Sequence, residues 1–187
     1  MPTSTPADSP PADGKRAFPP TLRTARLNIR PMGPEDADFL LELLNDPDFI
    51  RHIGDKGVRT TDDARRYVQG GPVASYERNG FGLCCVRLKD GGDSIGICGL
   101  LRREGLEDPD VGFALLPRYR SQGYAFEAAS AAIDDGRDRL SLRRLLAITS
   151  PDNAASIRLL HRLGFSFERV VRLLEAEPEV KVFALAL

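Results

Sequence analysis

The passage that most restricts the fold is a strand, helix, strand succession within residues 110–149. Asp110 to Leu115 is a short, mostly apolar run closed by Pro117, and residues 143–149 form a second such run. Between them, residues 124–140 are Ala-rich and amphipathic, with Ala125, Ala128, Ala132 and Ile133 on one packing face. Two strands separated by a full helix predict a parallel pair, because a hairpin joins antiparallel neighbours with only a few residues. The small side chains let that helix lie close against a sheet.

The remaining segments follow antiparallel logic. Residues 26–30 alternate polar and apolar before Pro31 and predict a first strand. Pro34, Glu35 and Asp36 open a helix whose apolar face carries Phe39, Leu40, Leu43 and Leu44, and Asn45-Asp46-Pro47 ends it. Thr60 to Asp63 supply N-cap chemistry for a second helix through Val68, which Gly70-Gly71-Pro72 interrupts or ends before a further helical stretch to Tyr76. Residues 82–88 and 94–101, joined by Asp90-Gly91-Gly92-Asp93, read as a hairpin. A helix over 153–163 stopped by Gly164, then strands over 165–173 and 180–187, complete the chain. The expected class is α/β (α+β): a mixed, mostly antiparallel central sheet of about six to seven strands, with helices on both faces and one core.

Residues 1–20 are rich in Pro, Ser, Ala and Asp and are expected to form a flexible tail, leaving residues 21–187 as a single domain. The 26 Lys and Arg offset 27 Asp and Glu to a net charge of -1, which removes the global electrostatic basis for direct nucleic-acid binding. No apolar run approaches the ~18 residues of a membrane span, and the N-terminus lacks the pattern of a secretory signal. Cys84, Cys85 and Cys98 have neither zinc-site nor C-x-x-C spacing. A cytoplasmic protein without membrane association is expected, with cysteines acting as small buried hydrophobes rather than nucleophiles.

The chemistry concentrates in Leu115-Leu116-Pro117-Arg118-Tyr119-Arg120-Ser121-Gln122-Gly123-Tyr124-Ala125. A loop between a strand and a helix start aims backbone N–H groups outward at the positive end of the helix dipole, an anion site suited to a pyrophosphate. Gly123 permits close approach, the small Ala125 leaves the first helical turn accessible, and Arg120 can add charge. On spacing alone, an ordinary strand-to-helix turn containing a glycine is the competing reading. No Gly-Lys-Ser/Thr follows, so the loop is not a P-loop.

The run Arg120-x-x-Gly123-x-Ala125 after a proline-closed strand, followed by a helix, a strand, Asn153-Ala154-Ala155-Ser156 and Leu163-Gly164-Phe165, resembles the GNAT acyltransferase superfamily. Gly123 to Ala128 and the Asn-x-x-Ser helix start are similar to its RimJ/RimL-like branch. The likeness runs from about Leu22 to the C-terminus, and the order of elements agrees. It implies acetyl-CoA as co-substrate and no metal. By position, the main chain from Phe113 to Leu115 would hold the pantetheine arm, and Arg120, Ser121, Gln122, Gly123, Tyr124 and Ala125 would wrap the pyrophosphate. Asn153 would hold the arm or the acetyl end, and Ser156, one turn later, would reach the thioester sulfur. Asn153 is equally read as a helix cap after Pro151-Asp152. Many members carry a Tyr seven residues after that Asn to protonate the leaving thiolate. Here that position is Leu160, which leaves Ser156 as the donor to the thiolate. His161 points about 100° away from its neighbour and is expected to be exposed.

The implied reaction is direct attack of a primary amine on the thioester, with no covalent enzyme. An alkyl ammonium titrates near ~10.4, so a base helps. Asp110 is the candidate base, with Glu104 and Asp108 in the preceding loop. Glu35, Asp36, Asp38, Glu42, Asp46 and Asp48 read either as an acidic wall for a cationic amine or as a solvated face. Arg118, Arg120, Arg143 and Arg144 are expected near the phosphate site. The acceptor is a protein N-terminus or a small-molecule amine, and the resemblance also allows a homodimer. The missing Tyr motivates a competing function, a non-catalytic acyl-CoA-binding or sensory domain.

Overall fold

The computed structural model describes residues 18–175 and 178–187. The expected tail falls outside the described residues except for its last three, and those lie against the domain. Pro19 is buried, and the Phe18 ring meets Tyr76 with 5.2 Å between centroids.

Among the described residues eight strands form one sheet: β1 (Leu22–Arg23), β2 (Leu27–Pro31), β3 (Leu83–Leu88), β4 (Ser94–Leu101), β5 (Asp110–Leu115), β6 (Arg144–Thr149), β7 (Ser166–Val171) and β8 (Val180–Ala186). Their spatial order is β1-β2-β3-β4-β5-β6-β8-β7. Every neighbouring pair is antiparallel except β5 with β6, the pair that the intervening helix dictates. The strand beyond the expected seven is β1, whose two residues are too few to carry an alternation.

The parallel pair is barely a pair. β4 and β5 match along their length, from Leu101 opposite Asp110 to Gly96 opposite Leu115. β5 and β6 share one rung, Asp110 opposite Leu146, beside a bond from Leu146 N–H to Pro109 O at 2.9 Å. Past that vertex the two strands part.

Helices cover both faces. α5 (Tyr124–Asp138) buries Ala128, Ala129, Ala132 and Ile133 with Val86, Cys98, Val111 and Leu145, and Leu160 of α6 (Ala154–Arg162) joins that core. On the other face α1 (Ala37–Leu44), α2 (Pro47–Ile53) and α3 (Thr61–Val68) supply Leu40, Leu43, Phe49, Ala64 and Val68 against Cys85 and Ile97. Adjacent Cys84 and Cys85 therefore enter different cores, as the two-residue period of a strand requires. No helix among the described residues is long and apolar enough to cross a membrane.

Two local readings hold and gain detail. Asn45-Asp46-Pro47 ends α1 and also starts α2. The Asp46 carboxylate accepts from Phe49 N–H at 3.1 Å, and Pro47 takes the first helical position, where a missing N–H costs nothing. Gly70-Gly71-Pro72 interrupts the α-helical pattern, as expected, without ending the helical run. The backbone widens into a π turn over Gln69–Val73, which accommodates the proline, and continues into α4 (Ala74–Asn79).

Candidate active site

A cleft of about 570 Å³ opens where β5 leaves β6. Its floor follows from the hydrogen-bond phase of β5. Leu116 N–H donates to Ile95 O on the β4 side, whereas Pro109 O and Leu115 O bond away from β4, the latter to Arg120 Nε at 2.9 Å. Alternation between those points turns the N–H and C=O of Phe113 toward the opening, without a strand to pair with. Phe113, Ala114 and Leu115 all line the cleft.

The loop after β5 forms one wall. Ser121 and Gly123 both have left-handed backbone, with φ of 60° and 83°, a geometry that brings neighbouring N–H groups together as an anion nest. Among the described residues no side chain caps α5; the first-turn N–H groups of Tyr124, Ala125 and Phe126 lack an intrahelical partner, and all three residues line the cleft. The loop is braced from the opposite end of the chain. Glu127 accepts from Thr24 Oγ1 at 2.6 Å, Arg26 N–H at 2.8 Å and Arg26 Nε at 2.7 Å, and Arg26 Nη1 donates to Gln122 O at 3.0 Å. Desolvation pushes the Glu127 carboxyl up, but those three bonds outweigh it and hold the group below its ordinary value.

α6 forms the facing wall. Asn153 Oδ1 accepts from Ser156 N–H at 3.0 Å, so the residue does cap the helix. The cap spends only the amide oxygen and leaves the two Nδ2 donors for another partner. Ser156, Arg158 and Arg162 also line the cleft. Arg162 stacks over Phe126 at 4.1 Å, and Arg158 has no ion pair among the described residues. Leu160 is buried in the core and His161 is exposed against Phe183.

Of the predicted site residues, Phe113, Leu115, Arg120, Ser121, Gly123, Tyr124, Ala125, Asn153 and Ser156 are brought together. Gln122 is not: its amide donates outside the cleft, to Arg118 O at 2.9 Å. Asp110 is not either. It is fully buried at the vertex rung, bound to Arg103 Nε at 2.9 and 3.1 Å, and does not line the cleft. A carboxylate closed off in this way is not positioned to take a proton from a substrate in the cleft.

The expected charge layout also changes. Arg120 lines the cleft, but its two terminal nitrogens reach Asp46 and Asp48 at 2.5 Å each, so it ties α2 to β5 instead of presenting a free charge. Arg118 pairs with Glu42, and Arg30 holds Asp36 at 2.7 and 2.9 Å. The acids of the first helices are thus largely neutralised, neither a bare acidic wall nor a purely solvated face. Arg144 pairs with Asp108 and Glu168 at the start of β6. Because β6 runs parallel to β5, Arg143 and Arg144 lie at the end of the sheet opposite the Gly123 loop.

The cysteines are poor nucleophiles. All three are buried, and burial pushes the Cys84 and Cys85 thiols up to about 12 and raises Cys98 as well. Replacing each in turn by Ala should leave turnover within about twofold of the parent, since a thiol this protonated carries no covalent route. A single replacement that abolishes thiol release from acetyl-CoA would restore the double-displacement alternative.

A sheet split at one parallel rung, with an uncapped helix start on one side of the gap and an Asn-capped helix on the other, fits the acyltransferase class that the sequence resembles. Residues 26–166 match the acetyltransferase (GNAT) domain model, and the chain belongs to that family. The uncharacterized N-acetyltransferase p20 of Bacillus licheniformis is 32% identical over 154 residues, which cover 81% of this chain and 85% of that protein. Among solved structures, the acetyltransferase from Agrobacterium tumefaciens str. C58 matches with a TM-score of 0.76 at 25% identity, over 90% of this chain and 95% of its own. RimL, the ribosomal L7/L12 alpha-N-protein acetyltransferase in complex with coenzyme A, shares the fold with a TM-score of 0.73 at 18% identity, over 87% of this chain and 95% of its own. The protein is an acetyltransferase enzyme.

Proposed function

We propose that the enzyme transfers the acetyl group of acetyl-CoA directly to a primary amine, either the α-amino group of a protein or peptide or a small-molecule amine. The observation that carries the reading is the unpaired main chain of Phe113 facing the gap, with the Gly123 loop at one end of the cleft and Asn153 and Ser156 on its facing wall. The donor set suits acetyl-CoA. Phe113 N–H and C=O match the amides of a pantetheine arm, the left-handed turns and the uncapped first turn of α5 match a pyrophosphate, and Arg158 adds charge. Asn153 Nδ2 holds the thioester end, and Ser156 Oγ donates a hydrogen bond to the sulfur as negative charge develops there. Alignment of the two reactants in the cleft supplies most of the acceleration.

The α-amine of RimL's named target supports the acceptor class by analogy. Three unpaired cysteines support a reducing compartment, the cytoplasm. Calorimetry with acetyl-CoA should give micromolar binding. Thiol release should then rise over background with at least one member of a panel comprising a peptide with a free N-terminal serine, spermidine and an aminoglycoside. Tight binding without turnover on any amine would favour the non-catalytic reading.

A further inference from the structure

His52 is not among the residues assigned above to acetyl-CoA, yet it lines the same cleft as Phe113, Asn153 and Ser156 with its side chain only 17% exposed. Its Nδ1 lies 2.9 Å from Ser150 Oγ, and that Oγ lies 3.0 Å from Asp152 Oδ1. Counting protons fixes the direction of both bonds. An ionised carboxylate only accepts, and the guanidinium of Arg51 beside Asp152, followed by the Ser150 hydroxyl, holds the Asp152 carboxyl below its ordinary value. Ser150 therefore spends its single proton on Asp152 and has only lone pairs to offer His52. Nδ1 must carry the ring proton, so Nε2 of the neutral imidazole keeps its lone pair and has no partner among the described residues.

The anchor adjoins Asn153, the residue assigned above to the thioester end. Asn153 N–H donates to Ser150 O at 3.1 Å, so one tight turn holds both the group that orients His52 and the first residue of the α6 wall. Asp152 Oδ1 is also 3.6 Å from Nδ1, on the side where it stabilises an imidazolium once one forms. On its own helix Asp48 pairs with Arg120 and Arg51 pairs with Asp152, while from α6 Arg162 stacks on Phe126 and Arg158 lines the same cleft without an ion pair among the described residues.

We propose that His52 Nε2 is the base that deprotonates the acceptor amine, with Ser150 and Asp152 as positioning residues that fix its tautomer; the assignment rests on the amine acetylation proposed above. An acceptor arriving as an ammonium gives one proton to Nε2. The freed lone pair forms the C–N bond while the C–S bond breaks, the nitrogen's second proton passes to the departing thiolate, and the imidazolium returns its proton to water. The products are the amide, free CoA thiol and one proton.

The test compares wild type, His52→Ala and Ser150→Ala on the best amine of the panel, with acetyl-CoA calorimetry on each. His52→Ala should lower kcat/KM by about 10²-fold or more with acetyl-CoA affinity within about twofold of wild type, and added imidazole should restore part of the rate. Ser150→Ala should cost about tenfold. In ¹⁵N–¹H imidazole spectra, wild-type His52 should be protonated at Nδ1, and Ser150→Ala should move that proton toward Nε2. Turnover of His52→Ala within about threefold of wild type across pH 6–9, or a wild-type ring protonated at Nε2, overturns the assignment while leaving the acetylation reading intact. If wild type itself releases no thiol with any amine, both fall together. If His52→Ala fails to bind acetyl-CoA, the wild-type tautomer spectrum decides.

Discussion

Replacing Gly123 by valine should abolish measurable acetyl-CoA binding, a loss of about 10³-fold or more, which corresponds to about 4 kcal/mol. Two effects add at this position. The backbone has φ 83°, where a β-branched residue pays about 1–2 kcal/mol of steric strain. A new Cβ would also meet Arg26 Nη2 at 3.3 Å, disturbing the arginine that ties the loop to Glu127, and the valine methyls would stand over the open N–H groups of the first α5 turn. Because Gly123 is exposed, the fold should survive with a melting temperature only a few degrees lower. Gly123→Ala, which keeps most of the access, should lose about tenfold. Calorimetry on the three proteins checks the series, and unchanged affinity in the valine variant would remove the loop from the site.

Replacing Arg103 by alanine should cost about 3 kcal/mol of stability at neutral pH, the low end for breaking a buried ion pair because Arg103 is itself about one third exposed. Asp110 keeps its place at the vertex rung while losing the one cationic partner it has among the described residues. Burial pushes the Asp110 carboxyl above its ordinary value, and Arg103 opposes that shift. A raised folded-state value means that the folded protein binds this proton more readily than the unfolded chain. The resulting stabilisation is full below the unfolded value of about 3.9 and is lost as pH rises through the folded value. Without Arg103 the shift upward grows, so the penalty should be largest at neutral pH and shrink as pH falls toward 4. Urea melts at pH 4.5, 6 and 7.5 check this, and an equal loss at all three would assign the effect to packing instead of charge. Since Asp110 marks where β5 and β6 part, the same variant should also loosen the floor of the cleft.

The frame of the fold was legible because it rests on local signals. The two strands around an Ala-rich helix demanded the parallel pair, and Asp90-Gly91-Gly92-Asp93 marked the hairpin. The split between β5 and β6 was not, since one rung and five leave the same trace in a strand's composition. α2 was hidden by Asn45-Asp46-Pro47, where stop and start signals are the same residues, and with it went His52; the i, i+3, i+4 spacing of Phe49, His52 and Ile53 after Pro47 carried the missed signal. The Gly123 loop and the Asn153 helix start were readable as motifs. The partners of Arg120 and Asp110 were not, because Arg120 meets acids more than 70 residues away and no motif records how a guanidinium is spent.

A sheet normally has two edges, and an unpaired edge invites the strand of another chain. By parting after one rung, β5 and β6 give this sheet two more edges in its interior, each with free main-chain groups. Proteins protect such edges with cover, charge or brevity. Here α2 and α6 stand over the gap, and Phe113 to Leu115 is only three residues long. Both helices contribute lining to the cleft, and both therefore also cover the backbone that the split leaves open, at the place where an incoming β-strand would otherwise find partners.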